Sequence, residues 1–186
     1  MPRAQTVLDF WFNEIDTKLW FSSTEAFDAE IREKFESTAL DIAEHDFDAA
    51  PHLWENDADR ALALILVLDQ FPRNMYRGQA KSFQWDVMAQ SVTHRMLEKV
   101  WDFRIPQKRR AFVYMPYMHA ESLELQNKCV ELCETRLEDK NTLFHAISHR
   151  EIIQTFGRFP HRNAALGRES TADEKVYLES GAYAPN

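Results

Sequence analysis

Eight consecutive apolar residues, Ala61-Leu62-Ala63-Leu64-Ile65-Leu66-Val67-Leu68, leave this chain few ways to fold. A surface helix keeps one polar face; this run has none, so it must be buried on every side. A buried strand could carry the same run. The Asp-rich approach, the two alanines and the leucines favour a central helix from Ala58 to about Gln70, capped by Asn56 or Asp57. Glycine points the same way, since four in 186 residues cannot furnish the tight turns of a β-fold. Pro72 disfavours the α-conformation at Phe71, so the helix should stop near Gln70.

The remaining periodicity is helical. Residues 4–13 read as a short, buried, aromatic-rich helix. Ser22 or Ser23 offers an N-cap for a long helix to about Glu44, with Phe27, Ile31, Phe35 and Ile42 inward. A helix from about Lys81 to Val100 follows, with Phe83, Val87, Val92, Met96 and Val100 inward. Pro106 starts a short helix over 106–113, Pro116 interrupts, and another helix spans about His119 to Leu137. The next runs about Thr142 to Phe156 and ends at Gly157. Thr171 and Glu174 form a capping box for a last helix, Ala172 to Ser180. The expectation is one all-α domain over residues 1–186, about eight helices packed as antiparallel pairs.

Two polar segments echo each other: Asp69-Gln70-Phe71-Pro72-Arg73-Asn74 and Gly157-Arg158-Phe159-Pro160-His161-Arg162-Asn163. Each follows a helix and ends Phe-Pro, then supplies arginine and asparagine, and Arg77-Gly78 and Gly167-Arg168 come soon after. Such echoes build tetratricopeptide-like arrays, although the full 34-residue signature is absent. Asp69 falls on the face of Leu62 and Ile65, so its carboxylate needs a buried partner, naturally Arg73 or an arginine of the second segment. His119 and Glu121 would sit at a helix N-terminus, where backbone N–H groups favour an anion.

His145 and His149 have the i, i+4 spacing of a metal-ligand pair, but the glutamate of a zinc hydrolase motif is missing, and no metal is expected. His149 and His161 are instead candidate proton carriers. Ser122 and Ser148 lie near histidines without a nucleophile motif, and no phosphate-binding or dinucleotide loop is present. A formal charge of −8 makes nucleic acid a poor partner. Cys129 and Cys133 share a helix face and read as buried reduced thiols. No apolar run reaches membrane-spanning length and no signal-peptide core is visible, so a soluble, cytoplasmic protein without cofactor is expected.

With these residues in view, the chain resembles a bacterial family known as domain of unknown function 924. The resemblance rests on residues 7–12, Trp20-Phe21, residues 68–74 with Tyr76-Arg77-Gly78, residues 114–121, and His149-Arg150-Glu151-Ile152-Ile153 through Gly167-Arg168 to Ser170-Thr171. It implies an all-helical fold similar to the tetratricopeptide-like superfamily and no established reaction. Where the family looks like His-Ser-Glu, this chain has His119-Ala120-Glu121, which argues against a serine mechanism here or against activity in this member.

Three readings follow. In the first, the two Phe-Pro segments meet the His119–Glu121 corner to form a small-molecule site of hydrolytic or transfer type. Arg73, Arg77, Arg158 and Arg162, with Asn74 and Asn163, would hold a carboxylate or phosphate. Asp69 and Glu121 would orient them, and His119, His149 or His161 would move protons. In the second, the segments are structural clasps in a helical module that binds a peptide or protein. In the third, the charges form only a structural ion-pair network.

Overall fold

The computed structural model describes residues 3–181 and Tyr183. The chain is all-α, with no strand among the described residues. Helix α1 (Ala4–Asp9) runs into a π turn (Phe10–Glu14), and α2 spans Glu25–Ala43. Helix α3 (Ala58–Ile65) passes through a second π turn (Leu66–Gln70) into α4 (Phe71–Met75). Then come α5 (Asp86–Glu98), α6 (Gln107–Met118), α7 (Leu123–Arg136), α8 (Lys140–Phe156) and α9 (Ala172–Glu179). Because α3 and α4 form one rod, the described residues hold eight helices. None is long and apolar enough to cross a membrane.

The apolar run takes the central place it requires. Leu64 through Leu68 are all 0% exposed. Against this rod pack Phe10, Trp11 and Phe35, with the Phe35 ring centroid 4.8 Å from that of the rod's own Phe71. Deleting a ring as buried as Phe71 costs about 3–5 kcal/mol in such a core.

Pro72 does not stop this rod. Phe71 keeps α dihedrals, and its N–H reaches back five residues to the Leu66 carbonyl. The π turn inserts the extra residue that lets a proline follow without striking the preceding turn. Pro116 likewise does not interrupt, for α6 runs through it to Met118. Pro116 withholds an amide from the Phe112 carbonyl, and the next two carbonyls of the same turn take side-chain bonds, Val113 from Thr93 Oγ1 (3.0 Å) and Tyr114 from Cys129 Sγ (3.6 Å).

Other boundaries shift by a few residues. Thr24, not Ser22 or Ser23, caps α2. The expected helix from Lys81 begins as a 3₁₀ turn, Ala80–Phe83, and α5 starts at Asp86. Val87 and Val100 point outward at 70% and 55% exposure, and Trp85 and Ala89 take the inward places instead. Gly157 closes α8 at φ 70°, a left-handed turn that glycine adopts without strain. Thr171 and Glu174 make the expected capping box.

Helices α6, α7 and α8 are joined by short corners, so neighbours are antiparallel and α6 runs parallel to α8. That arrangement positions the site.

Candidate functional site

The π turn delivers Asp69 into the interior, 0% exposed, at the junction of α3 and α4. A buried carboxylate must be paired, and this one is. His119 Nδ1 lies 2.9 Å from each of its oxygens. Gln70 Nε2 donates to Oδ2 at 2.6 Å, and Arg73 Nη1 lies 3.3 Å from Oδ1. Arg73 is shared, donating also to Asp86 through Nη1 (2.9 Å) and Nη2 (3.0 Å). Burial alone would raise the Asp69 pKa, but the Arg73 and His119 contacts overcome it and hold the carboxyl well below the usual range.

An ionised Asp69 only accepts, so His119 carries its proton on Nδ1 and leaves Nε2 bare. Among the described residues Nε2 makes no hydrogen bond. His119 does not begin a helix as expected: it is the C-cap of α6, and Ser122 caps α7. Its setting is therefore a carbonyl end, and the anion-favouring N-terminus assigned to it is not there. Burial and the nearby Arg73 charge lower its pKa against the pull of Asp69, so His119 is neutral at pH 7.

His149 stands beside it, ring centroids 6.1 Å apart. The His145 carbonyl, 2.7 Å from His149 Nδ1, can only accept, which fixes the proton there and bares a second Nε2. Burial and the neighbouring His119 push His149 down to about 3. Burial and Arg162 push His161 down to about 4. All three imidazoles are thus acceptors and bases at neutral pH, and the anion-holding cations must be arginine or lysine.

A cavity of about 610 Å³ opens beside this pair, within the range of small-molecule sites. One wall is a stripe of α6, a second is the 142, 145, 149 face of α8, and Trp20–Ser23 closes part of the rim. Of the residues singled out from sequence, Arg73, Asn74, Arg77, His119 and His149 line it, with Asp69 directly behind.

The other sequence candidates lie outside that lining, and most are engaged elsewhere. Arg158 pairs with Glu174 (2.6 and 2.8 Å), and Asn163 Nδ2 joins the same carboxylate at 3.2 Å. Glu121 accepts two bonds from Arg168 (2.7 and 2.9 Å) and one from the Phe159 N–H (2.8 Å). Those contacts hold its carboxyl low against burial. Arg77, within the lining, is bidentate on Asp28. Arg162 differs: it is 5% exposed, with one 3.5 Å bond to Asp86 and Nε unpartnered among the described residues. It stacks over Phe83 and Phe159, and burial with Arg73 lowers its pKa to about 10.

Sequence reasoning overlooked Asp86, which bridges Arg73 and Arg162, and Tyr183, whose hydroxyl meets His145 Nδ1 at 2.9 Å. The acidic first-turn residue beside Trp85 was the only available sign of Asp86. Ser148 donates to the Phe144 carbonyl and Ser122 is a cap, so neither has the setting of an activated nucleophile. Ala120 is buried in the α6–α7 corner. Cys129 and Cys133 are free and buried, as expected. Among the described residues no group of three or more His, Cys, Asp or Glu could hold a metal.

No curated protein matches the chain. A protein of unknown function from Agrobacterium tumefaciens, ATU0120, has a similar structure: 35% identity, TM-score 0.87, covering 96% of this chain and 97% of that one. The model of a bacterial family of unknown function, DUF924, matches residues 7–182, and the chain belongs to that family.

Proposed function

We propose that the cavity beside α6 is a small-molecule site in which Asp69 and His119 form a proton-transfer dyad acting on an anionic ligand. The carrying observation is the dyad itself. A fully buried carboxylate fixes the tautomer of an imidazole whose bare Nε2 has access to a cavity of small-molecule size. In that arrangement Nε2 takes a proton from a water or a ligand hydroxyl, and Asp69 stabilises the imidazolium that results. Hydrolysis and group transfer both need that step. Arg73 at the dyad end and Arg77 on the rim supply positive charge, each already sharing a carboxylate, so they bias the field rather than clamp an anion alone.

The alternative is a tetratricopeptide-like module that docks a peptide, with the Phe-Pro segments as clasps. The pairings of Arg158 and Arg168 favour the clasp role for the second segment. They do not account for the dyad.

The test is a thermal-shift and calorimetric screen of short carboxylates and phosphate monoesters, with long-range ¹H–¹⁵N spectra of the histidines. A binding anion should raise the Tm by a few degrees and move the His119 Nε2 resonance. Met115→Trp, which puts an indole into the cavity one helical turn before His119, should abolish both effects in a folded protein. Binding that survives Met115→Trp, or an unmoved His119 throughout the screen, would sink the proposal.

A further inference from the structure

The α6 wall of the cavity is an ordered stripe: Lys108, Ala111, Phe112, Met115, Met118 and His119. The spacings of three and four put all six on one helix face. At 1.5 Å rise per residue, Lys108 and His119 lie about 16 Å apart along the axis. One end of the cavity is therefore an ammonium, the other a carboxylate-backed imidazole, and everything between on this wall is apolar. Met115 and Met118 are adaptable packing surfaces, and Phe112 is held edge-on by Trp20 at 5.1 Å.

The Lys108 end has an electrostatic character of its own. Among the described residues Lys108 has no ion pair, hydrogen bond or ring partner, unlike the cavity arginines. The acid that lines the cavity, Asp139, is committed to the start of α8: it accepts from the Asn141 N–H (2.9 Å), the Thr142 N–H (3.3 Å) and the Thr142 hydroxyl (2.6 Å). Because α6 and α8 run parallel, this end also faces the N-terminal turn of α8. Asp139 keeps its charge but turns its oxygens to the α8 amides, so the Lys108 ammonium stays open to an anion whose apolar body lies along the α6 wall.

Resting on the dyad reading above, we propose that the ligand is an elongated amphipathic anion: an acyl or similar apolar chain of about ten atoms, its anionic terminus at Lys108 and its reacting group at His119. Short anions such as phosphate or acetate span too little of the channel to touch both ends.

Calorimetry with decanoate, hexanoate and the uncharged methyl ester of decanoate on the intact chain tests this. Decanoate should bind more tightly than hexanoate. It should exceed its methyl ester by about three- to fivefold, the worth of one partly exposed ion pair. Lys108→Met should erase that excess while far-UV circular dichroism and Tm stay at wild-type values, which shows that the variant is folded. Equal binding of decanoate and hexanoate, or a folded Lys108→Met protein that keeps the excess over the ester, overturns the elongated ligand while leaving the dyad site standing if hexanoate still binds and is lost in Met115→Trp. Failure of every probe, hexanoate included, overturns both.

Discussion

Asp69→Asn separates the electrostatic role of the buried carboxylate from its shape, because asparagine keeps the volume and loses the charge. The wild-type group accepts from His119 at 2.9 Å and from Gln70 at 2.6 Å, and pairs with Arg73 at 3.3 Å. Arg73 keeps both bonds to Asp86, so it is not stranded. Two charge-assisted bonds weaken by about 1 kcal/mol each, and the new amide N–H₂ faces an existing donor, leaving one polar group unsatisfied at about 1–3 kcal/mol. The sum, about 3–5 kcal/mol, matches the cost of breaking a buried pair. At about 2–4 °C per kcal/mol for a chain of this length, Tm should fall by about 6–20 °C. The folded carboxyl lies below the unfolded value of about 3.9, so its stabilisation is complete above about pH 5 and is lost as pH falls through the folded pKa. Denaturant midpoints from pH 7 to pH 3 should therefore fall more steeply for the wild type than for the variant. Histidine ¹⁵N spectra should show the Nδ1–H form of His119 in the wild type and a changed tautomer balance in Asp69→Asn. An unchanged Tm with superimposable acid profiles, or an Nε2–H form in the wild type, would refute the dyad assignment.

Three further outcomes follow from other parts of the fold. Folded His149 is held to about 3 against about 6.5 unfolded, so the unfolded chain alone takes a proton in between. Stability should drop below pH 6.5 by about 1.4 kcal/mol per pH unit from this group, and His149→Gln should flatten the denaturation midpoint over pH 6 to 4. Glu174→Ala removes the shared partner of Arg158, Asn163 and the Thr171 N–H, so protease cleavage between residues 164 and 171 should quicken by roughly tenfold while the core Tm moves little. Gly157→Ala puts a Cβ on a φ of 70° with nothing within 4 Å, so conformational strain alone should cost about 1 kcal/mol in urea titration, and Gly157→Asn should cost less.

What the residues reveal in advance depends on how local the cause is. Caps and stops are local: Asp57, Thr171 with Glu174, and Gly157 all act where their residue types place them. Burial of the 61–68 run is local too, since no solvated face exists. The two prolines mislead because their effect depends on neighbours. A π turn before Pro72 makes room for its ring, and packing of α6 between α5 and α7 carries the helix through Pro116 despite the amide bond it lacks. That error carried over to the site: continuing α6 through Pro116 turns His119 from a helix start into a helix end. Asp69 was legible as a buried acid, whereas Asp86 and Lys108 became meaningful only when α4, α5 and α6 converged.

Whether the charged cluster is only a clasp can be argued from how its donors are satisfied. Arg158 and Arg168 behave as clasps: each forks onto one carboxylate and also reaches a carbonyl, binding the 157–174 region to itself and to the α6–α7 corner. The inner set is different. Asp69 and Asp86 balance Arg73 and Arg162 in charge, yet Nε of both arginines is buried without a partner, and Arg162 makes only its 3.5 Å bond. A network kept for stability alone gains nothing from unsatisfied buried donors, which cost more than an apolar replacement of the same shape. The ring faces of Phe83 and Phe159, 4.4 and 4.5 Å from the Arg162 guanidinium, recover part of that cost without using its hydrogen bonds. The donors stay unspent beside the one imidazole pair that also presents unspent acceptors. Arg162→Met provides the discriminating measurement. In a structural network it leaves Asp86 underpaired and lowers stability, whereas relief of the crowding with Arg73 should make the protein at least as stable as the wild type. A protein about 3 kcal/mol or more less stable, the lower end of the cost of breaking a buried pair, would return the inner set to the clasp reading.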